Sequence, residues 1–334
     1  MDSFENLTSS LPDISTFEGD GRMPVHEIYR RLVTFAERYH TQWNGDVVHH
    51  QEITGGEFDA FSPPLSLPIV SLRSHVGGQA LWVIAGIHGE EPAGPNAVAR
   101  NLKIFSNLVD RGLPVVLLPL ANPAGYFRGW RYQNVRRASK TESGLSVGDS
   151  EHYLPGIHDR TRPRIPQPSS DAAGAFTAYV LSLLDRYPPR VVIDLHEDEY
   201  IPGIDGTRGG GPNRKRNGLP YLYSQGHLGR RDPVAQAILR IFRDHGIPYR
   251  MHGRTRFDGE KIHHGLVVDP NDGSIDNLLV APEIIVAGQH VQKPVALSSV
   301  VVETPTSLPL RRRIEVHASI LKALPELWNL SFFS

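Results

Sequence analysis

The chain has 334 residues, 40% of them hydrophobic, so it can bury a large core without staples. Its 35 Lys and Arg balance 36 Asp and Glu, with both signs mixed along the chain, which gives nucleic-acid binding no electrostatic support. Cysteine is absent, excluding disulfides, thiolate metal sites and cysteine nucleophiles, so any metal must be held by His, Asp or Glu.

Residues 1–20 carry acidic residues, no basic one and no uninterrupted apolar run, unlike a secretory signal. They are expected to form an N-terminal extension ahead of a single domain over 21–334. Nothing approaches eighteen consecutive apolar residues, so no membrane span is expected and the cytoplasm is the expected location. Pro24 opens a helix over 25–39, where apolar residues recur at helical spacing. Residues 66–74 and 81–87 read as strands, as do the apolar runs at 114–120, 190–195 and 300–303. These runs do not alternate with polar residues, which is the mark of strands covered on both faces. Helical patterns lie between them at 95–110, 171–187 and 233–245. The order predicts an α/β fold with a mixed, mostly parallel central sheet covered by helices on both faces. Such sheets place chemistry beyond the carboxyl ends of their strands. Turn-rich stretches at 125–165, 203–218 and 258–276 read as long loops, the first two as walls of a cleft or as solvated insertions.

Three strand ends carry candidate chemistry. The strand before His88 runs into His88-Gly-Glu-Glu91, and two ligands three residues apart in a turn can converge on one ion. A second apolar strand ends on His196, with four acids around it. Two His and one Glu suit zinc, one ion per chain, with a position left for water; calcium and magnesium prefer all-oxygen shells. Asp194 lies on the same side of its strand as His196 and reads either as acceptor for the imidazole's other N–H or as a solvated acid. Glu303 ends a run of apolar residues, which suits a general base beside the metal. No G-x-S-x-G elbow supports a serine nucleophile, and no G-x-G-x-x-G supports a dinucleotide site.

Together these segments resemble the zinc carboxypeptidase superfamily, the M14 metallopeptidases, over roughly residues 25–325. The resemblance implies His88, Glu91 and His196 as ligands and Glu303 as base. Asn122-Pro-Ala-Gly125 is similar to the N-P-x-G of that family, and Arg131 matches the arginine that polarises the scissile carbonyl. The Asn-Arg pair that grips a terminal carboxylate has no counterpart in Val147-Gly-Asp-Ser150-Glu151-His152. Asn134, Arg136, His152 or a basic residue of the NRKRN run could replace it, with Ser150 and Glu151 beside them. Tyr221 and Tyr223 read as pocket or core residues, and His263 and His264 as substrate contacts or surface histidines. Asp198, Glu197 and His152 could also approach a second metal. The implied activity is hydrolysis of an amide bond in a small peptide, as a metallocarboxypeptidase. The alternative is an N-acyl amino acid deacylase resembling aspartoacylase or succinylglutamate desuccinylase, whose added β-rich domain is not matched by the helical pattern among the 31 residues after Glu303. A non-catalytic binding protein retaining the pocket is a further alternative. Oligomeric state has no signature in the sequence.

Overall fold

A computed structural model of the chain describes residues 4, 7, 20–53, 64–137, 141–155, 166–198, 218–226, 228–249, 255–257, 260–268 and 272–332. The first half runs α1 (Val25–Arg38), β1 (Trp43–Ile53), β2 (Leu65–Ser74), β3 (Ala80–Ala85), α2 (Ala93–Arg100), α3 (Lys103–Val109), β4 (Val115–Leu120), α4 (Pro123–Arg128), α5 (Asp171–Leu183) and β5 (Pro189–His196). The second runs β6 (Tyr221–Gln225), α6 (Pro233–Asp244), β7 (Thr255–Phe257), β8 (Glu260–His263), β9 (Leu266–Val268), α7 (Ile275–Val280), β10 (Glu283–Val286), β11 (Gln289–Gln292), β12 (Ser298–Glu303) and α8 (Leu310–Leu330).

Among the described residues, ten strands form one mixed sheet in the order β1-β2-β4-β3-β5-β12-β6-β9-β8-β7. Its centre, β4-β3-β5-β12, is parallel, and antiparallel pairings occur toward both edges. Alternate residues of the central strands serve two cores. Leu81, Val83 and Ala85 of β3 pack with α1, α2, α6 and α8, whereas Ala80, Trp82 and Ile84 pack with α5 and α7. This two-sided burial explains why the central strands read as unbroken apolar runs.

The sequence pattern and the structure part company where polar chemistry ends or hides an element. The helix expected over 95–110 is two helices, because Asn101 leaves the helical region and its side chain bonds back to the Ala97 carbonyl. The loop expected over 258–276 contains β8, β9 and the start of α7. The polar strand β1, which has little apolar alternation, pairs along its length with β2. Phe4 and Leu7, in the N-terminal segment, are buried within the core. The stretch 203–217 and its NRKRN run lie outside the described residues. No described helix is long and apolar enough to cross a membrane.

The turn from β3 into α2 is pressed against the start of α4. A Cβ on Gly89 would overlap the backbone of Gly125 and Tyr126, which no side-chain rotation relieves. Arg22 adds a clamp, donating through Nη1 to the carbonyls of Gly89 and Tyr126 at 3.1 and 2.9 Å. Gly89→Ala is expected to destabilise the protein by about 3 kcal/mol through this overpacking, read as a lower urea midpoint. An unchanged midpoint would contradict the close approach.

Candidate metal centre

Three adjacent strands deliver the site. His88 lies in the turn after β3, His196 is the last residue of β5, and Glu303, the last residue of β12, is paired in register with His196. Glu91 follows in the β3 to α2 turn and is 3% exposed. Its Oε1 lies 2.7 Å from His88 Nδ1 and its Oε2 lies 2.9 Å from His196 Nδ1. The two Nδ1 atoms face each other at 3.2 Å. One ligand atom from each of the three residues lies within 4.8 Å of the others, close enough to converge on a single ion. Among the described residues this trio is the one cluster of His and acid side chains compact enough for a metal ion.

The electrostatics give the same answer. Burial pushes His88 down to about 4, leaving a neutral ring suited to ligation. Burial pulls on His196 too, but the carboxylates of Asp194 and Glu91 hold it well above its usual value. The histidines thus keep a proton amid groups aimed at one point, which is the place a cation would fill. Desolvation works against the charge on Glu91, yet the histidines keep its carboxyl well below the ordinary range.

Arg131 sits above this group. Its Nη1 donates to Glu91 Oε1 at 3.0 Å and lies 3.3 Å from Glu90 Oε1. Asn122 fixes that position. Its Oδ1 accepts from Gly125 N at the start of α4, while Nδ2 donates to the carbonyls of Ile87 and Arg131. One amide therefore ties the residue before His88 to the arginine. Asp194 Oδ2 lies 3.1 Å from His196 Nε2, the geometry that turns Nδ1 toward the trio. Glu303 is 7% exposed, and its Oε2 has no hydrogen-bond partner among the described residues. Burial pushes its carboxyl well above the usual range.

A cleft of about 270 Å³ opens over these groups. It is lined by Arg131 and Tyr132 on one side, Tyr223 and Gln225 on another, and Asp149, Asp272 and Asp276 beyond. Of the remaining sequence candidates, only Tyr223 reaches it. Ser150 is fully buried and bonded to Gly148 and Thr177, Glu151 is buried, and His152 stacks on Tyr153. Asn134 closes its own loop by bonding Ser143 and Leu145. Arg136 is exposed, Tyr221 is buried with its hydroxyl on Asp198, and neither residue of the His263-His264 pair lines the cleft. A second metal at Glu197 and Asp198 is not supported. Glu197 is turned away to the Ala93 N–H and Arg313, and Asp198 accepts from Tyr221. Sequence reading missed Tyr132, Gln225, Asp272 and Asp276, because polar residues from separated loops give no local pattern.

The sheet with its chemistry at the carboxyl ends of β3, β5 and β12 defines an α/β fold of the metallocarboxypeptidase type. Solved structures share it: a candidate metallopeptidase from Shewanella baltica (TM-score 0.60, 18% identity, 90% of this chain and 91% of that one), and another from Shewanella amazonensis (TM-score 0.59, 17% identity, 89% and 91%). A carboxypeptidase A from Helicoverpa armigera is similar at TM-score 0.54 and 11% identity, over 99% of this chain and 80% of that one. By sequence, no family model and no curated protein matches.

The protein is expected to bind one divalent ion per chain, measured by elemental analysis after zinc loading and desalting. His196→Ala should weaken binding more than about 100-fold, exceeding the loss typical of an outer partner. Equal metal content in the two proteins would remove the trio as the centre.

Proposed function

We propose that this chain is a zinc-dependent hydrolase that cleaves an amide bond, most simply as a metallocarboxypeptidase acting on small peptides. The observation that carries the reading is the meeting, beside one cleft, of two imidazole nitrogens, one carboxylate, a buried carboxyl whose Oε2 has no hydrogen-bond partner among the described residues, and a fixed guanidinium. The donor set, two nitrogens and one carboxylate without thiolate, suits zinc better than calcium or magnesium. A zinc ion held by His88, Glu91 and His196 supplies Lewis acidity toward a carbonyl and acidifies water near neutral pH.

The chain's own residues divide the remaining work. Arg131, held by Glu90 and Glu91, presents a guanidinium to the carbonyl oxygen as negative charge develops. Glu303, raised above the ordinary carboxylate range by burial, takes a proton from the attacking water and returns it to the leaving nitrogen. Tyr132 and Tyr223 flank the cleft beside these groups.

A second reading, a deacylase of small N-acyl amino acids, is favoured by one feature. Among the described lining residues, Arg131 is the one Lys or Arg, so no Asn-Arg clamp for a terminal carboxylate faces the cleft.

Glu303→Gln should retain zinc and lose about 10²–10⁴-fold in kcat, as expected for removal of a general base. The assay is amine release from a panel of peptides and N-acyl amino acids, before and after chelation. The member cleaved chooses between the two readings; full activity of Glu303→Gln would sink both.

A further inference from the structure

Gln225, the last residue of β6, lines the cleft yet is only 3% exposed. Which of its amide atoms is left for the cleft follows from a relay of hydrogen bonds through α7. The backbone N–H groups of Asp272 and Gly273 donate to Asn277 Oδ1 at 2.8 and 2.9 Å, and since a backbone N–H can only donate, that atom is the oxygen. Asn277 Nδ2 therefore donates to Gln225 at 2.9 Å, and the atom it meets is Oε1. Gln225 Nε2 is left with no hydrogen-bond partner among the described residues. A buried amide N–H without an acceptor is costly, and the cleft is where an acceptor can come from. Register places this group. Along β12, Glu303 is paired with Tyr221, Val301 with Tyr223 and Ser299 with Gln225, alternate positions that share one face of the sheet. Four residues of strand separate Glu303 from the level of Gln225, roughly 13 Å. In the proposed reaction Glu303 protonates the leaving nitrogen, so the leaving fragment lies on this side, where the cleft continues past Val301 and Tyr223 to Gln225.

We propose that Gln225 is the specificity-determining residue for the released amino acid: its Nε2 donates to a carbonyl at the end of that residue's side chain, and the side chain it selects is the neutral carboxamide of glutamine. The depth of the cleft calls for a long side chain, and the exclusions follow from what surrounds Nε2. A hydrocarbon chain leaves the N–H unpaired. An ammonium offers only donors, which cannot serve a donor. A carboxylate would accept, but Asp149, Asp272 and Asp276 line the same cleft and oppose a further anion. A carboxamide supplies the acceptor without charge, and its own N–H groups suit the aspartates beside it.

This inference rests on the hydrolase reading, whose peptide and N-acyl forms both release an amino acid, and its test separates the two. The measurement is kcat/KM of the zinc-loaded full chain for N-benzoylglycyl and N-acetyl derivatives of glutamine, glutamate, lysine and norleucine. Ratios are taken within one protein, so a loss of folded or metal-loaded molecules cancels. Wild type should favour glutamine over norleucine, which has the length without the acceptor, by about 10–100-fold, and over glutamate by at least as much. Gln225→Leu should bring the glutamine-to-norleucine ratio down to about one. Gln225→Glu, which puts an anion where Nε2 stood, should raise the lysine-to-glutamine ratio more than about tenfold, a shift that a purely structural role for Gln225 does not predict. Equal cleavage of the glutamine and norleucine derivatives by wild type overturns the specificity role and leaves the hydrolase reading standing, and this arm needs no variant to fold. An unchanged ratio in Gln225→Leu also overturns the role. A wild type that cleaves no member of the panel overturns both.

Discussion

The carboxylate of Glu91 is the point around which the site is arranged. It is almost wholly buried, and a buried anion persists only where donors and positive charge surround it. Each of its oxygens serves two groups from different places in the chain. Oε1 meets His88 and Arg131, and Oε2 meets His196 and the backbone N–H of Glu197. The β3 turn, the end of β5 and the segment after α4 are thereby joined at a single side chain.

The fold makes that junction available by strand order. β3 lies between β4 and β5, and β5 lies between β3 and β12, all running parallel, so their carboxyl ends open onto one cleft. Register does the finer placement, since Glu303 is paired directly with His196. Behind the floor, Glu197 receives the Ala93 N–H at the start of α2 and pairs with Arg313 of α8. Burial still pushes Glu197 up to about 7, against the pull of Arg313. The residue beside a ligand thus serves as a bracket between helices.

What could be read from sequence follows the same division between local and distant causes. His88, His196 and Glu303 announced themselves because each ends an apolar run, where a polar residue needs a reason, and Glu91 by its place three residues after His88. The central strands were legible as unbroken apolar runs, and α1, α5, α6 and α8 from their helical periodicity. β1 was not, because residues such as Asp46, His49 and His50 give it little apolar alternation while pairing with β2 supplies its stability. The split after α2 hung on one asparagine side chain turning back to a carbonyl. Ser150, Glu151 and His152 looked like substrate contacts by position alone, but burial and ring stacking commit them elsewhere.

Charge connects these observations. The cleft is lined by Asp149, Asp194, Asp272, Asp276 and Glu303, against which the described lining sets Arg131 and the imidazole of His196. Burial pushes both Glu303 and Asp276 well above the usual carboxylate range. A divalent ion at the trio and protons on the neighbouring acids are two ways of balancing the same field. An ion there would relieve Glu303 of part of its reason to stay protonated, which is the condition a general base requires. The surplus of acid around the cleft is costly unless protons or a cation balance it.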